Sequence, residues 1–239
     1  MNQREYIRQV IAGKRQWHTP VEPDESHAGF HGWYSRGYLP HFDKPGLVQF
    51  ITYRLADAVP AARRHEWIAL LRCEEERERL RGLERFLDRG YGGCCLRKEP
   101  IAALVQENLL HFDGRKYRLF AWVVMPNHVH VLAQETAVPL AILVKSWKSY
   151  TAHQINARLG SSGTVWQREY FDRYIRDREH FHKAIHYIEW NPVKAGLVRE
   201  PREWRWSSYV WRTHARGPGE PGSRDYDPAT NPVNRRSYG

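Results

Sequence analysis

Cysteine is scarce. The 239 residues hold only Cys73, Cys94 and Cys95, with no CxxC spacing among them. An odd count with an adjacent pair argues against a disulfide framework or a zinc knuckle, and for reduced thiols in a cytoplasmic protein. Long apolar runs are also missing. No stretch reaches the roughly 20 residues that span a bilayer. The opening MNQREYIRQVIAGKRQW lacks the apolar centre of a secretory signal. A soluble, intracellular protein without a membrane partner is expected. Acidic residues are the third shortage: 27 Asp and Glu stand against 37 Lys and Arg, a formal charge of +10 with Arg predominating. That excess favours a polyanionic partner, nucleic acid first.

Aromatic residues are plentiful. Ten Trp and 13 Tyr offer flat surfaces on which unpaired bases can stack, although any single one is better read as core. Residues 1–30 read as a polar appended arm, 31–212 as one domain, and the Gly/Pro/Arg-rich 213–239 as a disordered basic tail. Within the domain, GLVQFITYRLA (46–56) alternates as a strand does. The charged run 61–89 has helical spacing and reads as one largely solvated helix. GYGG breaks it, and a helix over 99–112 follows. YRLFAWVV and HVHVLAQ are two strands joined by a Pro-Asn turn. A helix spans 139–160, with Pro at its start and Gly at its end. TVWQREYFDRYIRD gives a loop and a strand, and a last helix runs from Arg178 until Pro192 stops it. The order predicts an α+β fold: a ferredoxin-like βαββαβ sandwich, its antiparallel sheet covered by helices on one face.

The chemistry starts at MPNHVH, residues 125–130. On a strand, positions i and i+2 share a face, so His128 and His130 project together. By themselves they are equally well two solvated strand residues or half of a metal site. The last helix supplies a second feature. Phe181, Ala184, Ile185 and Ile188 form its buried stripe, and His180, Lys183, Tyr187 and Asn191 form a second, polar one. If that polar stripe faces the histidines, two imidazoles, an amide oxygen and a phenol share one site. Such donors suit a divalent ion such as Mg²⁺ or Mn²⁺ with open positions for phosphate oxygens. The phenol is then placed for in-line attack on phosphorus. A phenol with a pKa of about 10 needs help to ionise, which the ion and cations such as Lys183 would supply. Imidazole ligands also predict weaker ion binding below about pH 6. Tyr150, Tyr170 and Tyr174 compete for the nucleophile's role, but only Tyr187 has a ligand-type residue one turn onward. His153, His182 and His186 read as surface residues. Lys145, Lys148, Arg168, Arg202 and Arg205 are the candidate phosphate contacts, with Trp166 or Trp204 as a stacking platform.

AWVVMPNHVHVLA, GTVWQREYFDRYIRD and HYIEWNPVKAGLV, with RGYLPHFD (36–43) and WRWSSY (204–209), together resemble the REP-associated tyrosine transposases. These are bacterial single-tyrosine HUH nucleases linked to repetitive palindromic DNA. The similarity covers roughly residues 30–210. It implies that His128 and His130 are metal ligands, Tyr187 the nucleophile and Asn191 a third ligand. It further implies a metal-dependent endonuclease and strand transferase that cleaves single-stranded DNA beside a hairpin through a reversible 5′-phosphotyrosine link. A cytoplasmic, nucleoid-associated monomer or homodimer is expected. A non-catalytic nucleic-acid-binding relative with the same fold and a phosphodiesterase that uses water are the rival readings.

Overall fold

The computed structural model describes residues 23–35, 40–135 and 138–215. Most of the expected arm (1–22) and most of the expected tail (216–239) lie outside the described residues. A single helical turn, α1 (Pro23–His27), leads to a two-stranded antiparallel hairpin, β1 (Gly32–Ser35) and β2 (Pro40–Asp43). The chain is already packed here. Phe30 is buried, and Glu25 pairs with Lys44 at 3.7 Å.

The main sheet contains β3 (Val48–Arg54), β4 (Tyr117–Val124), β5 (His128–Glu135) and β6 (Phe171–Tyr174). Its order is β4-β5-β3-β6, antiparallel throughout. That is the strand order of a βαββαβ unit, as the element order predicts. The crossover from β3 to β4 carries α2 (Arg64–Arg72), α3 (Glu76–Asp88) and α4 (Glu99–His111). The crossover from β5 to β6 carries α5 (Leu140–Leu159), which starts after Pro139 and ends at the left-handed Gly160. α6 (Arg178–Lys194) and α7 (Ser208–Ala215) complete the domain.

Helices cover both faces of the sheet rather than one. Ile51, Tyr53, Val129 and Val131 face α4 and α5 in the larger core. Val48, Val123 and Leu132 face α6, through Phe181, Ala184 and Ile188, in a second core. β4 is apolar on both sides and nearly all buried, so each of its faces needs a cover. Its outer edge is taken by the WRWSSY segment: Val124 N donates to the Trp206 carbonyl at 2.9 Å, and Trp204 Nε1 donates to the Val124 carbonyl at 3.0 Å.

Two helix boundaries differ from expectation. The charged run is two helices, not one, because the chain extends at Cys73 and the Glu75 carboxylate accepts from Arg77 N and Glu78 N. A carboxylate at that position satisfies helix-start amides and favours a new helix over continuation. Gly82 faces Leu70 of α2, and a Cβ there would stand 2.5 Å from Leu70 Cδ2, so the leucine side chain would have to shift. At the other end, Pro192 lies inside α6. The stop is Gly196, at φ +70°, where Leu197 N donates to the Pro192 carbonyl and Gly196 N to the Val193 carbonyl. This pairing satisfies the last carbonyls of the helix.

Candidate functional site

β5 starts at His128, immediately after the Pro126-Asn127 turn. The alternation of the strand puts His128 opposite Arg54 and His130 opposite Thr52 on the α6 side of the sheet. Both imidazoles are buried, with their Nε2 atoms 3.1 Å apart. A fixed set of contacts stands behind them. Asn127 Nδ2 donates to the Tyr91 carbonyl at 3.0 Å, which turns Oδ1 toward His128 Nδ1 at 2.8 Å. An amide oxygen only accepts, so His128 carries its proton on Nδ1 and presents the Nε2 lone pair to the site. His130 Nδ1 meets Thr52 Oγ1 at 2.7 Å.

The Tyr91 carbonyl is itself braced. Gly92 has φ +90°, and a Cβ there would lie 2.6 Å from the Asp57 carbonyl oxygen, while Gly93 N donates to Asp57 Oδ2 at 2.7 Å. Only glycine fits at that approach. The GYGG segment therefore does more than break a helix. It positions the acceptor that orients Asn127, and through Asn127 it orients His128.

α6 brings Tyr187 to this pair. Its ring stands edge-on to His130, with centroids 5.5 Å apart, and to Phe50 at 5.7 Å. The Tyr187 hydroxyl and both amide atoms of the fully buried Asn191 have no hydrogen-bond partner. Lys194, two turns beyond Tyr187, places Nζ 4.6 Å from the centre of the Tyr187 ring. Lys183, the cation expected here, is exposed and pairs with Glu179 at 2.5 Å. Lys194 places a cation at the site.

α3 contributes two carboxylates that look solvated in the sequence. Asp88 Oδ1 lies 3.9 Å from His128 Nε2 and is buried without a hydrogen bond. Glu84, one turn earlier, is close enough to Tyr187 to influence its hydroxyl, although no hydrogen bond closes by geometry. Burial raises the pKa of Glu84, and that of Asp88 to about 6, with Lys194 partly opposing both. Burial first, and then these two acids, hold the Tyr187 phenol far above its ordinary range. Burial pulls His128 down to about 3; burial, His128 and Lys194 lower His130 well below the usual histidine value. Burial thus favours the neutral form of both imidazoles.

These donors fit a divalent ion. Adjacent ligands on an octahedral ion with bonds near 2.1 Å stand about 3 Å apart, which is the spacing of the two Nε2 atoms. Among the described residues, no three His, Cys, Asp or Glu side chains surround one point. A full shell would therefore draw on the Asn191 oxygen and on oxygens from outside the chain.

The other candidates do not converge on Tyr187. Lys145 is exposed and Lys148 donates to the Arg168 carbonyl at 2.7 Å, and both lie on α5, across the sheet from α6. Arg168 is exposed beside them. Arg205 pairs with Glu99 at 2.6 Å, and Arg202 with Glu200 at 2.7 Å. Trp166 is core, with Nε1 bonded to Thr151, and Trp204 is half-buried, so neither offers an open ring. Tyr170 is buried against His41, Tyr174 packs on Phe42, and Tyr150 is exposed on α5.

The chain is similar in sequence to known transposases. Residues 99–191 match the family of IS200-like transposases. That segment runs from α4 to Asn191 and so holds both histidines and Tyr187. The REP-associated tyrosine transposase of Escherichia coli K12 is 28% identical over 105 residues, covering 43% of this chain and 60% of that protein. A relative in Haemophilus influenzae with the same family name is 28% identical over 104 residues, 39% of this chain and 59% of its own. The matched stretch therefore spans about 60% of these relatives. A solved REP-associated tyrosine transposase bound to a REP hairpin aligns at a TM-score of 0.46 and 17% identity, over 78% of this chain and 95% of that one. The resemblance read from the sequence motifs is borne out.

Proposed function

We propose that this chain is a transposase-type DNA strand transferase that cuts single-stranded DNA beside a hairpin, with Tyr187 as the nucleophile. One observation carries the reading: a buried tyrosine hydroxyl without a partner stands next to two buried imidazoles whose Nε2 atoms lie at ion-ligand spacing. DNA binding alone needs no such arrangement. The similarity to IS200-like and REP-associated transposases supports the same conclusion, and the net charge of +10 suits a nucleic-acid partner.

His128, His130 and the Asn191 oxygen would hold a Mg²⁺ or Mn²⁺ ion. Such an ion, when bound, polarises a phosphate oxygen and offsets developing negative charge. Tyr187 supplies the phenol oxygen that bonds to phosphorus as the bond to the departing 3′ oxygen breaks, which leaves a 5′-phosphotyrosine link. Lys194 over the ring favours the phenolate. Glu84 and Asp88 disfavour it, and a cation held by the two histidines would offset them. Asn127 and Thr52 hold the outer ring nitrogens of His128 and His130 and so fix the orientation of both rings. Phe50 and the α6 packing hold the phenol in place.

The test is incubation of the full chain with Mn²⁺ and a labelled hairpin oligonucleotide bearing an unpaired flank, followed by denaturing electrophoresis. A denaturation-resistant adduct is expected for the wild type. Cleavage without an adduct would mean that water, not tyrosine, is the nucleophile. Hairpin binding with neither cleavage nor adduct would make the chain a non-catalytic binder.

A further inference from the structure

We infer that the outer face of α6 is a track for unpaired DNA, with Trp190 as its base-stacking platform. This rests on the reading of the chain as a hairpin-directed transferase. Four large hydrophobic side chains are exposed among the described residues, and Trp190, at 42%, is the one on the nucleophile's helix. It is not loose. The His186 ring lies parallel to it, 5.3 Å between centroids at an interplanar angle of 13°. An indole held flat on one side and open to solvent presents a preformed face for an aromatic ligand. Every nucleobase has such a face, so stacking tolerates any sequence.

The surroundings select the ligand. Arg178, His182, His186 and Trp190 follow one another at i, i+4 spacing and are all exposed. Arg178 Nε approaches His182 Nε2 at 3.4 Å. A cation at one end and a stacked pair at the other suit a strand that carries both phosphates and bases. Position adds to this. Trp190 adjoins Asn191 and follows Tyr187 by three residues, less than one turn, or about 5 Å of helix rise. A strand held for attack at Tyr187 therefore passes within reach of the indole. The occupant is the unpaired flank next to the hairpin, not the hairpin stem, whose bases are already stacked.

The test measures affinity by fluorescence anisotropy for a hairpin with an unpaired flank and for the same hairpin without it. The proteins are the full-length wild type, Trp190→Ala and Trp190→Phe. In the wild type the flank should tighten binding. Trp190→Ala should lose roughly five-fold or more of that gain, with little change on the flankless hairpin, and Trp190→Phe should recover part of it. The inference is overturned if Trp190→Ala keeps the gain or weakens both substrates equally. It is also overturned if the variant alters the sedimenting mass of the protein while DNA affinity is untouched, because the face then belongs to a second copy. If the wild type binds neither oligonucleotide, the transferase reading itself fails, and the track with it.

Discussion

Tyr187 is the residue whose removal should separate chemistry from folding. Its hydroxyl is buried and makes no hydrogen bond, so Tyr187→Phe loses no partner and relieves a buried polar group. Unfolding by urea should show unchanged or slightly higher stability, while adduct formation disappears. Asn127 makes the complementary case. Asn127→Ala frees the His128 ring and leaves the Tyr91 carbonyl unpaired, and loss of such an orienting partner typically costs 10- to 100-fold in ion affinity. Mn²⁺ titration calorimetry on the variant should show a drop of that order, and unchanged affinity would mean His128 is held by something else. The histidine pair was legible because strand alternation is strict. Tyr187 and Asn191 were legible because they are one helical turn apart. Glu84 and Asp88 were not, since i, i+4 acids in a run rich in arginine have the pattern of a solvated face. Only the fold turns them inward.

At the scale of elements, the hairpin β1–β2 is fastened to β6 by charge. His41 is buried between Asp172, to which it hydrogen-bonds, and Glu169 at 3.6 Å. Burial alone would lower its pKa, but these carboxylates outweigh burial and raise it to about 9. A histidine with a raised folded pKa contributes stability that is fully present below about pH 6.5 and lost as pH rises through 9, at most roughly 3 kcal/mol here. The stability gap between wild type and His41→Gln, measured by urea unfolding, should therefore narrow from pH 6.5 to 9.5. A constant gap would mean that His41 is neutral in the folded protein. The ends of elements are where the sequence was least readable. The break at Cys73–Glu75 is marked by the Glu75 side-chain cap, which leaves no periodic signal. Pro192 suggested a stop that Gly196 provides instead. Gly196→Ala meets no atom within 4 Å, so its cost should be conformational alone, about 1 kcal/mol.

Across the whole molecule, strand order followed from element order, but the number of covered faces did not. A strand such as β4, apolar on both sides, reads the same whether its second cover is a helix or another layer. That second cover matters for function, because it puts α6 and Tyr187 on one side of the sheet and Lys145 and Lys148 on the other. Under the proposed function, the unpaired strand and the hairpin stem would occupy different surfaces. Replacing Lys145 and Lys148 together by Ala should flatten the log–log salt dependence of hairpin binding by roughly 1 to 2, at about 0.9 per duplex phosphate contact, while cleavage at saturating DNA stays level. An unchanged slope would remove α5 from the interface. The central claim, that Tyr187 forms the covalent link, is tested most directly by digesting the Mn²⁺-dependent protein–DNA adduct with trypsin and sequencing the DNA-linked peptide by mass spectrometry. The linked nucleotide should sit on Tyr187 within the peptide from Ala184 to Lys194. A link on Tyr150, Tyr170 or Tyr174 would contradict the account.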